Sequence, residues 1–389
     1  MVMPPNQRFA PSMSSSPVAR LENAVSWFAA SVLVTIGTIY ALRLQEQRRN
    51  KPLWIPPRAT PAQEPPALQA SRADEHGRGR KANAPVQIPW RGWRDILVRT
   101  YHQVENHHLL ALSASVAFYS ILALFPAIAA GITSYAFFTD VGTVAKHLSI
   151  AADIVPSGAI EILSTEITRI AMNSDGKLTL SFVVGLCVAL WSANAGMKSI
   201  FDALNIIYDE DEKRGLVWYN LVSLFSTTCV IAAGGLAMAL VVMFPLLLAA
   251  FGLTSIDHPV IAFARWPLMF LMIIVGLAVL YRYGPSRRLA KWRWVSIGSI
   301  VAALAWLAGS SLFSWYLATV ANYNATYGTL GAVAGLLVWM WLTAIVVLVG
   351  AQLNSEIEHQ TAQDSTVGAP KPLGHRGAVM ADTVGSAVP

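Results

Sequence analysis

Polar and apolar positions in this chain are sorted into long blocks, and several stretches carry no Asp, Glu, Lys or Arg at all. These are Leu109–Thr139, Leu178–Met197, Gly215–Ile256, Trp266–Tyr281 and Trp294–Ser355. A helix rises about 1.5 Å per residue, so roughly 20 apolar residues cross a hydrocarbon core of about 30 Å. The fourth run extends back to Pro259 once Arg265 snorkels to the interface. The last is divided by the polar stretch from Ala321 to Gly328, which reads as a turn between two spans. The pattern predicts an all-α membrane protein. Its six-span helical bundle has spans near 110–138, 178–199, 217–250, 261–283, 295–319 and 329–352. One N-terminal transmembrane helix, an anchor over 23–43, is added because its apolar run is long and no small-residue cleavage site follows it.

The segments around this body have a different composition. Residues 1–22 read as a disordered tail, 44–89 as a Pro/Arg-rich cytoplasmic linker, 90–358 as the six-span domain and 359–389 as a disordered cytoplasmic tail. The loop 141–177 carries Ile160, Leu163, Ile167 and Ile170 at helical spacing, with Glu161, Glu166 and Arg169 opposite. It predicts an amphipathic helix on the outer face.

Charge then sets the orientation. Only 13% of residues are charged and 54% are hydrophobic, against about 25% charged in soluble domains. With the six-span body starting and ending inside, cytoplasmic segments hold 22 of the 28 Lys and Arg and outer segments hold 6. Basic residues concentrate in cytoplasmic loops, so the C-terminus is expected in the cytoplasm of a bacterial inner membrane. The net charge of +6 is thereby accounted for without nucleic acid, and none is expected as a partner. Membrane lipids are the expected partners, with a homo-oligomer or an envelope-complex partner as further possibilities.

Candidate chemistry is sparse. The eight His form no metal-binding spacing, and no phosphate loop, nucleophile elbow or dinucleotide fingerprint occurs. No catalytic, cofactor or metal site is predicted, and no enzyme. Cys187 and Cys229 read as small buried hydrophobes. The acids Asp209, Glu210, Asp211 and Glu212 lack the alternating ligands of a calcium loop and read as a solvated surface. Ion-coupled carriers usually place ionisable groups in mid-membrane, and these spans have almost none. The cluster Arg282, Arg287, Arg288, Lys291 and Arg293 lies among Tyr281, Tyr283, Trp292 and Trp294. It reads as an inner-face contact to anionic headgroups rather than to RNA. Ser113, Ser115, Tyr119 and Ser120 with Pro126, and Trp191, Ser192 and Asn194, form either a polar seam or interhelical packing. Gly331 and Gly335 read as a close-packing pair.

The ordered motifs resemble a known family. Ala117-Phe118-Tyr119 with Phe125-Pro126, Trp191-Ser192-Ala193-Asn194, and Ala203-Leu204-Asn205-Ile206-Ile207-Tyr208 are similar to motifs of the YihY/BrkB membrane proteins. So are Tyr281-Arg282-Tyr283-Gly284-Pro285, Tyr327 to Val333, and Gly350 to Glu356. The resemblance covers about residues 90–360, and it departs at Gln352, where the family usually has Glu. It implies a six-span inner-membrane protein with cytoplasmic ends. Some members are named virulence factors and others ribonuclease BN. Transport or export of an envelope component, with a lipidic one among the candidates, is the leading expectation, and a structural or assembly role is the alternative. Nuclease activity is the remote one, because the clustered metal ligands it needs are missing. Tyr119, Trp191, Asn194, Asn205 and Tyr327 are the candidate pathway lining, with Arg282 as inner gate or headgroup contact.

Overall fold

A computed structural model describes residues 65–138, 178–250, 258–319 and 330–388, all within one compact unit, Ala59–Pro389. The expected anchor over 23–43, the outer amphipathic helix and Tyr327 lie outside the described residues. Among the described residues, two helices precede the bundle: α1 (Pro66–Ala73) and α2 (Trp90–Asn106), with a single 3-10 turn at Pro85–Gln87 between them. Six long helices follow: α3 (Leu109–Phe138), α4 (Leu178–Ile207), α5 (Leu216–Ala250), α6 (His258–Tyr283), α7 (Trp292–Thr319) and α8 (Leu330–His359). A short α9 (Val379–Asp382) lies in the tail. Among the described residues there is no strand, only an isolated bridge between Ala290 and Thr366.

The long helices have 26 to 35 residues, or about 39–53 Å at 1.5 Å per residue. Within lipid a helix satisfies its own backbone groups, which is why uninterrupted apolar runs become helices there. Within the described residues, Leu216–Ala237, Trp292–Leu317 and Val333–His359 are long and apolar enough to cross a membrane, and Leu109–Ala123 and Pro267–Tyr283 are shorter apolar segments. Consecutive helices pack as neighbours from α3 to α8, and α8 returns to contact α3, closing the circuit. α8 also touches α2 and α4. The chain's last long helix is therefore the hub of the bundle.

Two left-handed residues set the bends at one end. His108 (φ 48°) separates α2 from α3, and Asp209 (φ 51°) ends α4. At the second, the Glu210 N–H donates to the Asn205 carbonyl at 2.9 Å, satisfying a carbonyl the helix end would leave open.

Several expectations are corrected. Residues 359–388, read as a disordered tail, are folded, and residues 65–89 of the linker fold against them. Arg80 is buried and donates to the carbonyls of Gln360 (3.1 Å) and Gly385 (2.7 Å), so linker and tail hold each other. Arg376, also buried, gathers the tail by donating to the carbonyls of Ala362, Gln363, Lys371 and Ala381. Cys187 and Cys229 are exposed on the bundle surface, where lipid accommodates a weakly polar thiol. Close glycine packing occurs at Gly298 of α7 and Gly350 of α8. A Cβ on Gly350 would lie 2.6 Å from Ala302 Cβ and 2.7 Å from the Tyr281 hydroxyl, whereas one on Gly335 meets no described atom within 4 Å.

Candidate functional site

Among the described residues, buried polar side chains collect at the end of the bundle where α3, α5 and α7 begin and α4, α6 and α8 end. The last turns of α8 organise them. Gln352, Asn354, Ser355, Glu356 and Glu358 are all buried. Nearly consecutive residues of a helix point in different directions. Their common burial therefore requires chain on every side of α8.

Each neighbour supplies a partner. Gln352 Oε1 is 2.7 Å from His107 Nδ1 at the α2–α3 bend. Asn354 accepts from the Gly298 N–H (2.8 Å) and donates to the Val295 carbonyl (3.0 Å), which locks α7 against α8 at the glycine contact. Ser355 donates to the Ile207 carbonyl (3.0 Å) at the end of α4. Glu356 accepts from Arg99 of α2 at 2.7 Å. Glu358 accepts from Arg287 Nη1 and from the Ser365 hydroxyl, both at 2.6 Å.

Arg287 also lies over the Tyr208 ring, 4.1 Å from its centroid. Burial pushes the Arg287 guanidinium down, but Glu358 and the neighbouring acids outweigh it and hold the group above its ordinary value. Burial likewise pushes the Tyr208 phenol up, so it stays neutral. The pair is a fixed cation and anion enclosed in protein.

A second cluster joins the α4–α5 loop to the α6–α7 loop. Asn205 accepts from the Ser286 N–H (2.7 Å) and donates to Glu212 (3.1 Å). Arg214 holds Glu212 through Nε and Nη2 and donates to the Gly284 carbonyl at 2.9 Å. Burial raises the Glu212 carboxyl, yet the bonds from Arg214, Asn205 and Ser286 outweigh it and bring it to about 2. Glu210, buried, accepts from Lys213 (2.6 Å) and from the Val379 N–H of the tail (2.7 Å). The solvated-surface reading of this acidic run is corrected at Glu210, which is buried, whereas Asp211 and Glu212 are exposed, Glu212 while held by Arg214 and Asn205.

The candidate pathway residues separate. Tyr119 (38% exposed) and Trp191 (65%) lie on the outer surfaces of α3 and α4. Asn194 is buried with Oδ1 unpartnered, and Asn205 belongs to the polar end. A cavity of about 180 Å³ between α3, α4 and α8 is lined by others, including Val116, Ser120, Ile200 and Thr343.

The basic cluster divides too. Arg287 is buried in its ion pair, which removes it from the headgroup-contact set. Arg282 is buried and stacks over Trp292 at 4.3 Å, with Nε and Nη1 unpartnered. Arg288 donates its N–H to the Gly377 carbonyl, and Lys291 Nζ donates to the Asp364 carbonyl (2.7 Å). Arg293 alone of the five is exposed.

Arg99, Glu356, Glu358, Gly298 and Gly350 were missed as functional positions. The available signal was the polar run from Gln352 to His359 closing an apolar helix. Among the described residues, no group of three or more His, Cys, Asp or Glu is placed to hold a metal ion.

Known proteins are similar to this chain in sequence. A putative ribonuclease-like protein, YfkH of Bacillus subtilis (strain 168), is 31% identical over 274 residues, covering 67% of this chain and 94% of that one. A UPF0761 membrane protein of Cronobacter sakazakii is 27% identical, covering 68% of this chain and 88% of its own. One from Glaesserella parasuis is 27% identical, covering 48% and 64%. No solved structure matches. Residues 100–373 match the family described as Virulence factor BrkB. That match takes in the six long helices and the polar layer apart from Arg99 and Val379, and the chain belongs to this family of integral membrane proteins.

Proposed function

We propose that the chain is a six-span protein of a bacterial inner membrane, with one further N-terminal span, that moves an amphiphilic, lipid-like envelope component without catalysing a covalent reaction. The polar layer is its closed cytoplasmic end. The observation that carries this reading is the pairing of Glu356 and Glu358 on α8 with Arg99 and Arg287 on separate elements. Those pairs tie the helix ends across the bundle, so passage at this end requires them to part. The excess of Lys and Arg in the segments at this end supports the cytoplasmic assignment. The scarcity of charge along the spans suits a lipid-like cargo better than an ion.

A structural or assembly role is the second reading. It is favoured by the modest size of the cavity, about 180 Å³, between α3, α4 and α8. Nuclease activity rests on the name of the Bacillus relative.

The test is leaflet exchange of a headgroup-labelled phospholipid in phosphatidylcholine–phosphatidylglycerol vesicles containing the full chain. Exchange faster than in protein-free vesicles is expected. Equal rates would overturn the transport reading in favour of assembly. RNA cleavage by the same preparation, abolished by a chelator, would overturn the non-enzymatic part.

A further inference from the structure

We infer that α2 is an interfacial helix, lying in the membrane surface at the polar end of the bundle with one edge sunk among lipid tails. The inference goes beyond the proposed function and stands without it.

At 100° per residue, the residues of α2 fall on three faces rather than two. Gly92, Asp95, Ile96, Arg99 and Thr100 form one face and are buried against the protein. Asp95 there is paired with Arg78, and Arg99 with Glu356. That face already has its partners.

The other faces are largely exposed among the described residues, with Arg94 donating to the Val388 carbonyl (2.9 Å), and they differ from each other. Trp90 (75% exposed), Leu97 (50%) and Tyr101 (73%) point outward and fall within about 40° of arc. The half-buried Trp93 and Val104 flank them. The remaining outward face carries the exposed Arg91, Arg94, His102, Glu105 and Asn106 around the half-buried Val98, with Arg94 at the border next to Tyr101. An apolar edge beside a polar edge is the pattern of a helix at a water–lipid boundary. Large apolar side chains left in water at this density mark an interaction surface.

The chain itself says what covers the edge. Only His107 and His108 separate α2 from α3, whose first residues enter the membrane-spanning body. The Trp341 Nε1–H of α8 donates to the Leu110 carbonyl (3.0 Å), fixing the start of α3 against the bundle. On α3, Leu110, Phe118 and Leu122 are exposed large apolar side chains as well. α2 therefore sits at the depth of the headgroups by covalent connection, next to a helix that presents apolar side chains to its surroundings. Exposed Trp218, Tyr283 and Trp292 at the same end of the bundle match the aromatic girdle of a membrane interface.

The test uses the full chain with Cys187→Ala and Cys229→Ala, in nanodiscs of phosphatidylcholine and phosphatidylglycerol. Nitroxide labels are placed singly through Leu97→Cys, Tyr101→Cys, His102→Cys and Glu105→Cys, all at exposed positions that folding tolerates. Collision rates with oxygen, which concentrates in lipid, and with a water-soluble nickel chelate are then compared. Labels at 97 and 101 are expected to favour oxygen several-fold over labels at 102 and 105. Equal, water-like accessibility at all four would overturn the inference. So would low accessibility to both reagents at 97 and 101, which would assign the edge to a protein partner.

Discussion

Arg287 and Glu358 meet at 2.6 Å with side chains at most 1% exposed, joining the loop after α6 to the last turn of α8. A buried pair differs from a surface one in what its loss does. Removing one partner strands the other charge, whereas removing both does not. Glu358→Gln or Arg287→Met is expected to destabilise the protein by about 3–5 kcal/mol. The double variant Arg287→Met/Glu358→Leu is expected to lose less than either single one. Thermal unfolding in detergent checks the order, and equal losses in all three would contradict it.

Gly350 sets the distance between α7 and α8. A methyl group there collides with Ala302 and with the Tyr281 hydroxyl, which itself donates to the Val347 carbonyl at 2.8 Å. Gly350→Ala is expected to destabilise by about 1–3 kcal/mol through overpacking. Gly276→Ala is the control, because nothing lies within 4 Å of its added Cβ. It is expected to be neutral or slightly stabilising in the same unfolding measurement.

Arg376 makes the tail an ordered part of the protein through its four carbonyl bonds. Limited proteolysis of the wild-type chain is expected to spare residues 361–388, and Arg376→Ala to expose them to cleavage. Rapid loss of the tail from the wild type would contradict the arrangement.

Glu212 makes part of the stability depend on pH. Its carboxyl is held at about 2 against an ordinary 4.5. A carboxyl lowered by folding stabilises fully above its unfolded value, and the contribution fades as pH falls toward the folded one. The difference in melting temperature between wild type and Glu212→Gln is therefore expected to be constant from pH 7 to about 5 and to shrink below about 4.5. A gap unchanged at pH 3 would assign the effect of Glu212 to packing alone.

The long helices were legible because charge-free runs have one physical solution in lipid, and the ends of those runs fall close to the ends of α3 to α8. The polar layer was legible only in part. Asn205 stood out by its motif, but its role depends on Ser286 and Glu212, which a loop geometry brings to it. The tail was not legible, because its small polar residues have no local reason to fold. Its order comes from partners such as Arg80, some 280 to 305 positions away in sequence. Gly350 stood out only as the first residue of a motif and Gly298 not at all, since their contact depends on which helix faces meet.

The most direct test of a closed inner end on a lipid-moving bundle is leaflet exchange measured side by side for wild type, Glu358→Gln and Arg287→Met/Glu358→Leu in identical vesicles. The account predicts exchange above the protein-free rate for wild type, and faster exchange still for Glu358→Gln and for the double variant, which both lack the pair that closes this end. Three rates equal to that of protein-free vesicles would contradict it.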